Sequence, residues 1–248
     1  MRLTVVGAGP AYTDVAGAVG ACYLVRSGDH ALALDLGHGA FAGLAAQIRP
    51  EQLETVLISH LHPDHFVDLV PLRHYLRYHV QPASRVRVDA HPDLVERLDA
   101  LHAEPGFTAA ALDVVALTPG VRQVGPFLIA AARVTHTSDS FAFRVAEGPA
   151  APGLVYSGDV GVADDLRPLI RRGDVLLVEV SFGPGPVPTG AAHLGGPAVG
   201  AVAAEAGASR VLLTHLLMGR DPAATITSVR ERFGGPVELV EPGFETLI

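Results

Sequence analysis

The 248-residue chain has no tryptophan and a single cysteine, Cys22, and only 6% of its residues are aromatic. One cysteine excludes an internal disulfide and any cysteine-rich zinc finger. The scarcity of large aromatics argues against a base-stacking surface for single-stranded nucleic acid. Positive charge is thin as well. Lys and Arg total 18 against 26 Asp and Glu, the formal net charge is −8, and the basic residues are scattered. An extended nucleic-acid footprint needs a basic face, so none is expected. No apolar run approaches the ~20 residues of a membrane span. Too few apolar residues precede Gly7 for the core of a secretory leader, so the expected location is cytoplasmic and no membrane partner is expected.

What is present is apolar and alternating. Hydrophobic residues make up 49% of the chain, enough for one large core, and no composition shift divides it. A single domain over residues 1–248 is expected. The Pro/Gly-rich stretch 182–197 lies between apolar segments and reads as a functional loop. Apolar runs rich in Val, Leu and Ile predict strands over 2–6, 31–36, 55–59, 85–90, 127–135, 153–157, 175–180 and 210–214. Several are continuous hydrophobics, the pattern of strands covered on both faces. Helical periodicity appears over 64–79, 197–206 and 222–233. Pro222 suits a first helical turn and Gly234 the position after a last one. The fold class is α/β.

Five of these apolar runs end in a candidate ligand or carboxylate: "VLIS" before His60, "ARVT" before His136, "LVYSG" before Asp159, "VLLV" before Glu179 and "VLLT" before His215. Sites in layered α/β proteins collect at the carboxyl ends of strands. If these strands are neighbours, the five groups converge. The densest of them is "SHLHPDH", with His60, His62, Asp64 and His65. His60 and His62 are two apart and share a side in an extended segment. Pro63 turns the chain, so Asp64 and His65 can face a second centre. Burying four such groups without a metal would leave a heavy desolvation cost. Imidazole and carboxylate together suit zinc and tolerate manganese or iron. His30, His74, His79, His91 and His102 stand outside these patterns and are read as surface or core residues.

HLHPDH resembles the His-X-His-X-Asp-His signature of the metallo-β-lactamase superfamily. "LDLG" with Asp35, "VTHT" with His136, "YSGD" with Asp159 and "LLTH" with His215 follow in that family's order. The resemblance implies an αβ/βα four-layer sandwich of two facing mixed sheets with helices outside. It also implies two divalent metal ions, zinc first, with manganese or iron as substitutes. His60, His62 and His136 would hold one, Asp64, His65 and His215 the other, and Asp159 would bridge them, while Asp35 would orient the ligand loop. The segment 179–216 resembles the ribonuclease Z-like phosphodiesterase branch, in which an acidic strand end (Glu179) and a histidine (His193) precede a helix and the last histidine. His193 lies 22 residues before His215. "HTSDSFAFRV" resembles that branch's third motif.

Two departures narrow the reading. Only 22 residues separate His136 from Asp159, leaving no room for the arm with which transfer-RNA-processing members grip their substrate. Gly195 stands where the family usually has Ser or Thr, which leaves open the phosphate contact that the resemblance implies there. The pattern looks closest to compact bacterial members that include cyclic-nucleotide phosphodiesterases.

The expected function is therefore hydrolysis of a small anionic phosphodiester, a cyclic nucleotide above all, by a metal-bridging hydroxide. Asp64 would orient the nucleophile. His193, held by Glu179, would stabilise the phosphorane or protonate the leaving oxygen. Two divalent ions set against Asp64, Asp159 and one hydroxide leave about one net positive charge, so the site attracts anions although the chain is acidic. Carboxylic-ester hydrolysis (lactone or thioester), a ribonuclease Z-like endonuclease and a non-catalytic metal scaffold are the alternatives. Relatives in this branch are commonly homodimers, and a homodimer is expected here. "VVGAGPAY" is similar to a dinucleotide-binding loop, but Tyr12 stands where the third glycine belongs, so Gly7–Gly9 is read as a tight loop at the site rim.

Overall fold

The structure is a computed structural model describing all residues, Met1–Ile248. Fourteen strands form two seven-stranded sheets. The first contains β1 (Arg2–Gly7), β2 (Cys22–Ser27), β3 (His30–Leu34), β4 (Leu53–Leu57), β5 (Val86–Ala90) and β6 (Leu112–Ala116) in chain order, with β14 (Glu245–Leu247) beside β1. The second runs from β7 (Gly120–Val124) through β8 (Phe127–Val134), β9 (Ser140–Ala146), β10 (Gly153–Tyr156), β11 (Val175–Glu179) and β12 (Arg210–Thr214) to β13 (Val237–Leu239). Pairing is parallel from β3 to β6 and from β10 to β13 and antiparallel elsewhere. Parallel neighbours deliver their carboxyl ends to the same edge.

Three apolar layers make this a four-layer sandwich. Between the sheets, Leu3, Tyr23, Leu34 and Leu57 meet Phe127, Phe143, Tyr156 and Leu177. Outside the first sheet, Val56 and Val88 are covered by Leu44 of α1 (Ala40–Gln47), by Leu69 and Leu72, and by Leu94 and Leu98 of α4 (Leu94–His102). Outside the second, Leu176 and Val178 pack on Val199 and Val202 of α5 (Gly196–Ala206) and Val229 of α6 (Pro222–Arg230). Covering both faces of each central strand explains the continuous apolar runs. Side chains of Asp221 and α6 show the capping rule at work: the Asp221 carboxylate accepts from the Ala223 and Ala224 N–H groups, with Pro222 in the first turn.

The expected strands are all present, and each differs from its expected bounds by no more than a few residues. Two helix expectations are corrected. Residues 64–79 are not one helix but α2 (Pro63–Phe66), α3 (Leu69–His74) and a π-helical turn, Tyr75–His79. The break falls where the Asp68 N–H turns aside to the Leu36 carbonyl and its carboxylate accepts the Phe41 N–H. Helix α6 ends at Arg230, so Gly234 is not its closing residue.

Candidate metal centre

All the strand-end groups meet at one edge of the two sheets. β4 ends just before His60 and His62, which lie beyond the strand, His62 in extended backbone. Pro63 opens α2 and carries Asp64 and His65 inward. β3 leads into Asp35, β8 into His136, β10 into Asp159 and β12 into His215. Asp35 and His215 both adopt left-handed backbone, φ 58° and 57°. Such geometry costs a non-glycine residue on the order of 1–3 kcal/mol and persists where surroundings over-determine it. At His215 one such restraint is its N–H donated to the Ala8 carbonyl at 3.1 Å.

The donor atoms sort into two groups. His60, His62, His136 and Asp159 bring one atom each to within 4.8 Å of one another; so do Asp64, His65 and His215. In the first, His60 Nε2 lies 2.9 Å from His62 Nδ1, which lies 3.2 Å from His136 Nε2. In the second, His215 Nε2 is 3.2 Å and His65 Nε2 3.6 Å from Asp64 Oδ2. Asp159 divides its carboxylate between them. Oδ2 is 3.8 Å from His60 Nε2 and 3.7 Å from His136 Nε2, while Oδ1 is 3.4 Å from His65 Nε2 and 3.5 Å from His215 Nε2.

Hydrogen bonds at the far side of each ring set which nitrogen faces the centre. Asp35 is fully buried. It accepts from the Ser59 N–H (2.6 Å), the Ser59 hydroxyl (2.7 Å), the Tyr156 hydroxyl (2.6 Å) and His65 Nδ1 (2.7 Å). The Ser59 hydroxyl proton thus belongs to Asp35, and His60 Nδ1–H donates to Ser59 Oγ at 3.1 Å. The Ser181 hydroxyl donates to Glu179 in the same way (2.6 Å), so His215 Nδ1–H donates to Ser181 Oγ at 3.0 Å. His136 Nδ1–H donates to the Ala192 carbonyl at 2.7 Å. By this network the Nε2 atoms of His60, His65, His136 and His215 all point inward. Ser59, Tyr156 and Ser181 were missed by the sequence reasoning. Ser181, two residues beyond Glu179 at the end of β11, carried a usable signal.

Two buried polar atoms here, His65 Nε2 and Asp159 Oδ1, have no hydrogen-bond partner. Buried polar atoms are rarely left so. Both point into the space between the two donor groups, and the donor set of imidazoles and carboxylates fits divalent ions. The protonation pattern agrees. Burial, then the charge of His65, holds the His60 pKa well below the histidine range, and burial lowers that of His62. Burial opposes the imidazolium of His65, but Asp159 and Asp35 outweigh it and raise its pKa well above 6.5. The pKa of His215 is raised too, by Asp159 and Asp64 against burial. In the metal-free chain both shifts favour the protonated ring beside the buried carboxylates.

His193 stands beside the centre. Its Nδ1 is 2.9 Å from Glu179 Oε1 and 3.9 Å from Asp159 Oδ2. It can be grouped with Asp159 and His215 as a third donor set, but its Nδ1 is committed to Glu179, and the other two members already serve the first two sets. Burial works against its charge, and the hydrogen bond and charge of Glu179 outweigh burial, raising its pKa. Glu179 is itself buried and accepts from the Val160 and Ser181 N–H groups at 2.9 and 3.0 Å. The histidines read as bystanders are engaged elsewhere: His30 with Glu54, His74 with the Val70 carbonyl, His102 stacked on Phe107.

A family model described as β-lactamase superfamily domain matches residues 35–216, a span that begins at Asp35 and contains every residue of this centre. The chain belongs to the metallo-β-lactamase superfamily. It is 33% identical to the uncharacterized protein Rv1339 of Mycobacterium tuberculosis over 220 residues, 84% of this chain and 78% of that one. Among solved structures, the metallo-β-lactamase fold protein YhfI from Bacillus subtilis superposes with a TM-score of 0.87 at 26% identity, covering 99% and 98% of the two chains. The short form of human tRNase Z, ELAC1, gives 0.78 at 20% identity over 100% and 99%, a likeness of fold. The chain is a metallo-hydrolase of this superfamily, and no helix in it is long and apolar enough to cross a membrane.

Proposed function

We propose that this superfamily member is a phosphodiesterase that uses two divalent metal ions to cut small nucleotide phosphodiesters, cyclic nucleotides above all. One observation carries the reading: a carboxylate split between two donor groups, with an imidazole anchored on a buried carboxylate beside it. His60, His62 and His136 with Asp159 Oδ2 would hold one ion. Asp64, His65 and His215 with Asp159 Oδ1 would hold the other. Zinc fits the donors, with manganese or iron as substitutes. When bound, such ions supply positive charge for phosphoryl oxygens and lower the pKa of water.

The chain's own residues do the rest. Asp64 offers Oδ2 towards His215, leaving its other oxygen to accept a hydrogen bond from the attacking water and orient it. His193, anchored through Nδ1 on Glu179, keeps Nε2 to donate a proton to the departing alkoxide oxygen. Glu179 keeps that proton in place near neutral pH and fixes the ring. An anionic diester is attracted to the imidazolium from encounter onward, whereas a neutral ester gains only as charge develops.

Replacing His193 by Ala is expected to leave metal content unchanged and to lower kcat on phosphodiesters by ~10²-fold or more. Full activity with the metal retained contradicts the role. Glu179→Gln removes the charge that raises the His193 pKa, so the alkaline limb of the kcat profile should move to lower pH. An unmoved limb assigns that limb to another group.

A further inference from the structure

Beside His215 opens a cavity of about 480 Å³ between three loops, residues 8–19, 215–222 and 239–242. Its volume is within the range of small-molecule sites. The walls are mainly apolar, with Pro10, Val15, Val19, Leu217, Met218 and Leu239 among them. Val15 and Met218 are 65% and 47% exposed, so large side chains line a cavity that nothing in the chain fills.

The glycine-rich loop that imitates a dinucleotide motif is the floor of this cavity. Its glycines serve close packing, not pyrophosphate. A Cβ on Gly7 would lie 1.9 Å from the Gly20 carbonyl oxygen, and one on Gly9 2.7 Å from that of Val19. The loop is tied at both ends, by Gly9 N–H to Val19 O (2.9 Å) and by His215 N–H to Ala8 O (3.1 Å). The second tie holds the cavity wall against a residue of the metal centre.

The charged lining is uneven. Arg220 is half-buried, its guanidinium carbon 5.3 Å from the centre of the Phe182 ring, and no carboxylate or other acceptor engages its side chain. The Phe182 ring in turn lies 6.2 Å from the His193 ring. The other charged residues of the lining are Asp14 and Glu241. One free cation lines the wall with His215, and no second cation is available for a second phosphate.

We infer that this cavity receives the nucleoside part of a cyclic mononucleotide, the base against the apolar wall, with Arg220 taking a non-reacting phosphate oxygen. A polynucleotide would have to thread further phosphates past Asp14 and Glu241. The inference rests on the phosphodiesterase reading for its substrate, but its test does not depend on turnover.

The test uses the zinc-loaded protein with AMP and inorganic phosphate as binding probes, and 3′,5′-cyclic AMP and methyl p-nitrophenyl phosphate as substrates. Ala16→Trp and Met218→Trp fill the cavity from exposed positions. Wild type is expected to bind AMP at least 10-fold more tightly than phosphate, and both filled variants to lose that preference. Their KM for cyclic AMP should rise at least 10-fold, with methyl p-nitrophenyl phosphate turnover changed by less than about 2-fold. Arg220→Met should weaken AMP and phosphate together and keep their ratio. Filled variants that retain both the AMP preference and the cyclic AMP KM overturn the nucleoside site. Unchanged binding in Arg220→Met overturns the role of Arg220. A preference for AMP that vanishes on filling, in a protein that turns over no phosphodiester, supports the cavity and sinks the phosphodiesterase reading alone.

Discussion

Asp35 is the residue on which the centre's geometry hangs. It touches neither donor space directly, yet it fixes Ser59, Tyr156 and His65, and through Ser59 it sets the tautomer of His60. Outer partners of this kind typically alter metal affinity 10–100-fold. Asp35→Asn is expected to weaken metal binding by about that factor in a chelator competition titration, and an unchanged affinity would show that His65 is oriented by packing alone. Proton bookkeeping gives a second expectation. His65 and His215 have raised pKa values in the metal-free chain, whereas ligation needs their Nε2 lone pairs. Metal binding near neutral pH must therefore release protons, and apparent affinity must rise with pH. Calorimetry in buffers of different ionisation enthalpy should show this as a buffer-dependent heat; identical heats in all buffers would mean the two rings are already neutral.

At the scale of elements, the centre is built from strand ends bolted to one another through backbone. The Asp64 carbonyl accepts the Ala21 N–H at 2.9 Å, and the His65 carbonyl accepts the Leu36 N–H at 2.8 Å. These contacts need glycine nearby: a Cβ on Gly37 would sit 1.8 Å from the Asp64 carbonyl oxygen. Gly37→Ala should displace α2 and cost the second donor group its metal while the first, on the far side of Asp159, keeps its own. One metal per chain by elemental analysis is the expected readout, and two would contradict it. Among the candidate ligands, His60, His136, Asp159 and His215 were legible in sequence because each closes an apolar run, and a strand that is buried on both faces announces its end; His62, Asp64 and His65 were legible from their crowding beside His60. Other elements were silent for physical reasons. β9 carries Arg144 within "SFAFRVA", which breaks the apolar signal, yet the guanidinium is buried and paired with Asp174 through two bonds of 2.7 and 2.9 Å. Edge strands such as β7 and β14 are largely exposed and carry no alternation to read. The break between α2 and α3 depends on bonds from Asp68 to residues about 30 positions away, which local periodicity does not contain.

At the scale of the molecule, the donor groups join the two sheets. His60, His62, Asp64 and His65 follow the first sheet, and His136, Asp159 and His215 the second. Metal held between them ties the sandwich along one edge, so binding should stabilise the whole fold. At a free metal concentration 100-fold above Kd, linkage gives about 2.7 kcal/mol for each ion bound. For a chain of this size each ion should raise Tm by roughly 5–11 °C over the chelated protein. Equal melting with and without metal would place the ions outside the sheet junction. The anionic substrate proposed above requires positive charge at this edge, because the chain as a whole carries a formal −8.

The measurement that tests the central claim most directly is hydrolysis of 3′,5′-cyclic AMP by chelator-stripped protein as zinc or manganese is added back in measured equivalents. Activity is predicted to be absent in the stripped protein and to reach its plateau at two metal ions per chain. A plateau at one ion, or a fully loaded protein that leaves cyclic nucleotides intact while cleaving lactones or thioesters, would contradict the account.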